Sequence, residues 1–263
     1  MSEQKSKLVC LRPDYETATH WGQYWFKDQV LKLADVRGIE YYDLYGANDY
    51  KAYFNEVMKQ SNAKFVCGIG HGNDFMIVGH NNQTLLDVRN SDDLQLMQDK
   101  HGSFLSCNFG SSAKVWVQKG MLSFFGYKVT YYFVTGNYPN SFAEPFFKSH
   151  CCYDREILQG TQPTIAFSKT SDAYDQEIVR QPDWVARYLI SDRDGMVLEF
   201  SDNRSPFAPA PQKIKCYFCE FECTDVEVMK AHIIGSHCPP CPPWPDPCWL
   251  PSWLRDWLGC KLP

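Results

Sequence analysis

Short β-rich runs alternate with longer helical patterns over the first 135 residues of this chain, and that alternation restricts the fold more than any other feature. "KLVCLRP" (7–13) predicts a strand stopped by proline. Residues 15–36 then place Trp21, Tyr24, Trp25, Val30, Leu33 and Ala34 at roughly helical spacing. "IEYYDLYG" predicts a second strand and "NDYKAYFNEVMKQ" a second helix, capped by Asn48 or Asp49. "AKFVCGIGHG" is a third strand, continuously apolar as expected when both faces are covered. "GSFLSCNFG" predicts a fourth strand, "SSAKVWVQKG" a helix and "YKVTYYFV" a fifth strand. Such alternation implies an α/β fold, a mainly parallel sheet with helices on both faces. Further along, "SFAEPFFKSHCCYDREILQG" and "AYDQEIVRQPDWVARYLI" predict helices, and "MVLEF" a closing strand. "SPFAPAPQ" (205–212) has the composition of a linker.

The cysteines divide the chain in the same place. Five of the twelve (Cys10, Cys67, Cys107, Cys151 and Cys152) are scattered through the first 210 residues, and seven crowd between Cys216 and Cys260. Scattered cysteines in a large body predict free thiols, whereas a dense terminal cluster predicts metal binding. The expected organisation is therefore a main domain at 1–207, a linker at 208–215, a metal-binding module at 216–237 and a Cys/Pro/Trp-rich tail at 238–263. A net charge of −5 disfavours a general nucleic-acid binder. No stretch is apolar for long enough to cross a bilayer, and "MSEQKSKLVCLRPD" lacks the apolar core of a secretory signal. The expectation is a cytoplasmic protein.

In open α/β sheets, ligands bind at the carboxyl ends of the strands. Two reactive side chains fall at such ends: His71, directly after "FVCGIG", and Cys107, directly after "SFLS". A cysteine ending an apolar run packs by default as a small hydrophobe, so the partner strand end decides its role. With the third and fourth strands adjacent, Cys107 and His71 form a nucleophile–imidazole dyad. The amides of Gly72 and Cys107 then face a developing oxyanion. The "NFGSS" turn leads into a helix whose N-terminal amides favour a thiolate. His101 precedes the fourth strand, at the wrong end of the sheet, and His80 lies in a polar loop with no strand leading into it at the same level.

An apolar strand ending in His-Gly, followed by one ending in Cys with Gly and Ser just after it, resembles the caspase-like (clan CD) cysteine peptidases. "YDREILQGTQPTIAFSKTSDAY" is similar to the segment after the nucleophile in the gingipain-like and CHAT branches. The likeness spans about residues 6–200. It implies a peptidase in which Cys107 attacks the scissile carbonyl and His71 protonates the departing amine and assists water. It also implies that the Gly72 and Cys107 amides hold the oxyanion, with a protein or peptide as substrate and no cofactor for catalysis. The family reads charged side chains with opposite charges, for which Asp43, Asp74 and Asp154 are equal candidates by sequence.

"CYFCEFECTDVEVMKAHIIGSH" holds Cys216 and Cys219 two residues apart, His232 twelve further on and His237 four after that. This is the spacing of a two-cysteine, two-histidine zinc finger, with Cys223 and Met229 at its small apolar core. The base-reading positions are Asp225, Val228 and Ala231, none suited to guanine, and residues 211–263 carry five basic against six acidic residues. The expected finger is structural or protein-binding rather than a DNA reader. The tail places Trp244, Trp249, Trp253 and Trp257 among leucines, a sticky segment suited to docking back on the main domain, to a protein partner or to a membrane interface. Cys238, Cys241, Cys248 and Cys260 follow no established ligand spacing. The expected function is a cysteine endopeptidase positioned by a zinc finger. The alternatives are a catalytically silent scaffold on the same fold and a nucleic-acid-binding regulator.

Overall fold

The computed structural model describes residues 6–135, 142–208, 214–215, 222–223 and 231. The chain divides into two units, Met1–Ala208 and Pro209–Pro263. The first unit opens with β1 (Lys7–Arg12), α1 (Thr17–Phe26), a π-helical turn (Lys27–Leu31), α2 (Lys32–Arg37), β2 (Tyr41–Tyr45), α3 (Lys51–Gln60) and β3 (Ala63–Ile69). A hairpin of β4 (Met76–Val78) and β5 (Thr84–Asp87), then α4 (Ser91–Leu96), lead to β6 (His101–Leu105), α5 (Ala113–Gln118) and β7 (Ser123–Tyr127). Three helices, α6 (Glu144–Leu158), α7 (Pro163–Ile178) and α8 (Asp183–Gly195), precede β8 (Met196–Phe200).

Six strands form one sheet in the order β2-β1-β3-β6-β7-β8. The five central and left-hand strands run parallel, and only β8 is antiparallel to its neighbour β7. Because β2 and β3 flank β1 on opposite sides, the direction of winding reverses there, and a crevice opens at the carboxyl ends of the strands. Side chains alternate between two buried layers. Leu8, Cys10, Phe65, Cys67 and Phe125 join the layer under α1, α6 and α7, whereas Val9, Leu11, Val66, Phe104 and Phe124 join the layer under α3 and α5. Burial on both faces is why these strands read as continuous apolar runs. The expected α/β class with a mainly parallel sheet is therefore observed.

Several local expectations are corrected. "YKVTYYFV" is no fifth strand. That strand is Ser123–Tyr127, and the chain leaves the sheet once Lys128 N donates to Gly195 O and Asn108 N to Val129 O. The helix at 51–60 is preceded by Tyr50, and neither Asn48 nor Asp49 caps it. "AYDQEIVRQPDWVARYLI" is two helices rather than one, parted at Pro182, whose ring cannot continue a helix interior. The β4–β5 hairpin and α4 carry no strong period and escape a sequence reading. No helix among the described residues is long and apolar enough to cross a membrane.

In the second unit, β9 (Ile214–Lys215) pairs antiparallel with β10 (Glu222–Cys223), Lys215 opposite Glu222 and Ile214 opposite Cys223. Ala231 is helical and exposed. Cys216, Cys219, His232 and His237 lie outside the described residues, as do Asp225, Val228, Met229, the tail tryptophans and the last four cysteines.

Candidate active site

β3 and β6 are neighbours, with Ile69 opposite Leu105, so the two strand ends that carry His71 and Cys107 lie side by side. The approach is tight. A Cβ on Gly72 would run into the Ser106 hydroxyl and lie 2.7 Å from Met76 O and 3.4 Å from Cys107 O, so only glycine fits between these backbones. Gly72 also faces Ile77 across a bridge in which Val78 N donates to His71 O (2.9 Å) and Asn73 N to Met76 O (3.1 Å). That pattern leaves the Gly72 amide outside the ladder. Among the described residues, neither the Gly72 nor the Cys107 amide has a backbone acceptor.

A sharp turn displays the thiol. Asn108 follows Cys107 in the left-handed region (φ 58°, ψ −6°), which asparagine tolerates better than most residues. Gly110 then lets the turn press on β7, where an added Cβ would meet the Tyr127 carbonyl carbon at 2.7 Å. A 3₁₀ turn (Phe109–Ser112) separates this bend from α5, which has six residues. The expected thiolate-favouring helix end is therefore displaced from Cys107. Burial pushes the thiol pKa up, and the nearby Asp192 carboxyl adds to that effect. The Sγ reaches Tyr131 O at 3.9 Å.

His71 is held from the opposite side. Its Nε2–H donates to Glu16 Oε1 at 3.1 Å, and its side chain is 46% exposed. Glu16 is the N-cap of α1 and accepts from the Thr19 amide (2.8 Å) and the Ala18 amide (3.1 Å). Burial alone would raise the Glu16 pKa, but these two amides and His71 outweigh it and hold the carboxyl below its ordinary value. With Nε2 taken by a fixed carboxylate, Nδ1 is the nitrogen left for a substrate. The Tyr15 ring lies edge-on to both His71 and His80 (centroids 6.3 and 5.4 Å apart), and its hydroxyl donates to Asn82 Oδ1 (2.8 Å). His80 is thus closer to the site than its polar loop suggests, since β4 leads into it.

Between the two strand ends lies a cleft of about 70 Å³. Ile69 and Leu105 wall it from β3 and β6, Ala18 and Thr19 from the start of α1, and Tyr131 and Phe133 from the segment after β7. His71, Ser106 and Cys107 all line it. The sequence reading of the dyad found His71, Gly72 and Cys107, but not Glu16, Ala18, Thr19, Tyr131 or Phe133. For Glu16 a signal existed, because an acid two residues before "ATHW" marks a helix start.

The three carboxylates singled out for substrate reading separate clearly. Asp43 is taken up by Arg12 in a bidentate pair (Nε–Oδ1 2.7 Å, Nη2–Oδ2 2.6 Å). Asp154 is fully buried on α6, 3.7 Å from His150 Nε2, and burial raises its pKa well above the ordinary value. Asp74 is exposed in the loop after His71. None lines the cleft. His101 sits at the amino end of β6 as expected, buried against Ser123 Oγ (2.8 Å). Among the described residues no group of His, Cys, Asp and Glu forms a metal site. A scan against protein-family models finds no match for this chain, and a search of curated proteins finds none either.

Proposed function

We propose that this protein is a caspase-like cysteine endopeptidase of the cytoplasm that cleaves a protein substrate, with Cys107 as nucleophile and His71 as proton carrier. One observation supports the reading: His71 and Cys107 stand at the carboxyl ends of adjacent parallel strands and line one cleft, and the Gly72 and Cys107 amides beside them have no backbone acceptor among the described residues. The Cys107 Sγ attacks the scissile carbonyl carbon, and the carbonyl oxygen takes the negative charge opposite the Gly72 and Cys107 amides. The thiol proton passes by way of His71 to the departing amine. His71 then takes a proton from water, whose oxygen attacks the thioester carbonyl carbon; the C–S bond breaks, the acid product leaves, and His71 returns the proton to the sulfur. Since burial keeps the resting thiol protonated, deprotonation accompanies attack rather than preceding it. Glu16 fixes the orientation of the imidazole, which makes it a positioning residue.

Cys216, Cys219, His232 and His237 form the zinc-ligand set of the second unit. The β9–β10 pairing brackets Cys216 and Cys219 in sequence, as a metal-holding hairpin does, and Ala231 is helical just ahead of His232. The metal supplies folding free energy to a segment too short for its own core. Its role, and that of the Trp-rich tail, is recruitment of a protein partner. A second reading, a silent scaffold, draws on the raised thiol pKa and on the Sγ contact with Tyr131 O rather than with His71. Incubation with a proteome-derived peptide library separates the two. Cleavage by the wild type that is lost in both Cys107→Ala and His71→Ala, with folding intact, supports the peptidase. A wild type that cleaves nothing supports the scaffold.

A further inference from the structure

The cleft beside the thiol carries no charge of its own. Its walls are Ile69, Leu105, Ala18 and Phe133, with Thr19 and Tyr131 adding polar atoms that are already bonded elsewhere. The Thr19 hydroxyl donates to Glu16 O (3.1 Å). The Tyr131 hydroxyl points inward, donating to Phe146 O (2.9 Å) and lying 3.3 Å from the Tyr174 hydroxyl. Ser106 contributes one buried hydroxyl without a partner, and His71 stands at the rim, bonded to Glu16. Among the described residues, the charged groups at this end of the sheet are engaged or set back. Arg12 is paired with Asp43 and bonds Gln23, and Asp192 accepts from the Tyr132 amide without lining the cleft.

We infer that the cleft receives the substrate side chain preceding the scissile bond, and that it selects a small uncharged one such as alanine, valine or threonine. This rests on the peptidase reading of Cys107. A carboxylate or guanidinium placed there loses its water and meets no counter-charge, which is strongly unfavourable. A small aliphatic group gains apolar contact on four walls instead. A cleft of about 70 Å³ fits a side chain of a few carbons better than a phenylalanine or arginine. Ala18, half-buried at the start of α1, lines the cleft where a carboxylate would give a basic side chain a counter-charge. Phe133, whose ring packs on Phe147 (4.9 Å), limits the depth.

The test uses the full chain and peptidyl acyloxymethyl ketones that differ only in the residue next to the warhead: Ala, Val, Thr, Leu, Asp or Arg. The rate of Cys107 modification is read by mass spectrometry. In parallel, Cys107→Ala is titrated with the matching peptides. We expect Ala, Val or Thr to exceed Asp and Arg by at least tenfold in both assays. Ala18→Asp should raise the Arg probe at least tenfold, and Phe133→Ala should bring Leu level with Val. Asp or Arg at parity or better in either assay overturns the inference, and an Arg preference would assign Asp192 to the pocket. No discrimination in either assay overturns it as well. The expected ranking in Cys107→Ala binding, with no probe modifying wild-type Cys107, keeps the apolar cleft and overturns the peptidase reading.

Discussion

Glu16 does two jobs with one carboxylate: it closes the first turn of α1 and it orients His71. The two can be separated by substitution. Glu16→Gln keeps one oxygen, for the Thr19 N–H and His71 that share Oε1, but its NH2 cannot accept from the Ala18 N–H as Oε2 does, and the negative charge beside the imidazole is lost. We expect kcat to fall about ten- to a hundredfold, the scale of impaired proton transfer. The pH–rate profile should shift, and the midpoint of urea unfolding should fall by no more than the lost Ala18 cap bond accounts for, about 0.5–1 kcal/mol. A purely structural Glu16 would show that loss of stability with an unchanged profile and an unchanged kcat. That residue was not legible as part of the site because an acid at a helix start has an ordinary explanation as a cap. Cys107 and His71 were legible because both terminate apolar runs, and a run marks where its strand ends. Cys10 and Cys67 lie within such runs and are buried thiols in register on β1 and β3.

A strand buried on both faces was read well, as "AKFVCGI" is found at Ala63–Ile69, and so was the half-buried edge strand "MVLEF" at Met196–Phe200. The stretch after Tyr127 misleads for a physical reason. Its aromatic and β-branched residues have strand propensity, but they serve tertiary contacts, Tyr131 and Phe133 in the cleft wall and Val129 as acceptor for the Asn108 amide. The two strand-end turns depend on each other through Gly72. Gly72→Ala forces the β3 end away from Ser106 and Met76, an overpacking that costs about 1–3 kcal/mol. Peptidase activity should fall further than stability explains, since the oxyanion amide moves with the backbone. Urea unfolding and initial rates on one preparation check both. Wild-type activity in a stable Gly72→Ala variant would remove Gly72 from the site.

For the molecule as a whole, two buried histidines set a pH response. Burial lowers the pKa of His101 to about 4 and that of His150 to about 3. An unfolded histidine takes its proton near pH 6.5, so between that value and about 4 the unfolded chain binds more protons, and stability falls as pH falls. His150 faces the buried Asp154, whose raised pKa works in the opposite sense, so His101 gives the cleaner test. From pH 7 to pH 5 the wild type should lose about 1–2 kcal/mol more than His101→Gln by urea titration. An equal loss in both would mean that His101 titrates normally. The division into a sheet domain and a second unit after Ala208 coincides with the shift in cysteine density, five scattered before it and seven crowded after it. The most direct test of the central claim is the site of covalent capture. Among the described cysteines only Cys107 and Cys152 are partly accessible, while Cys10, Cys67 and Cys151 are buried. Peptide mapping after treatment with a peptidyl acyloxymethyl ketone should place the adduct on Cys107, with labelling abolished by His71→Ala. An adduct on Cys152 alone, or Cys107 labelling indifferent to His71, would contradict the account.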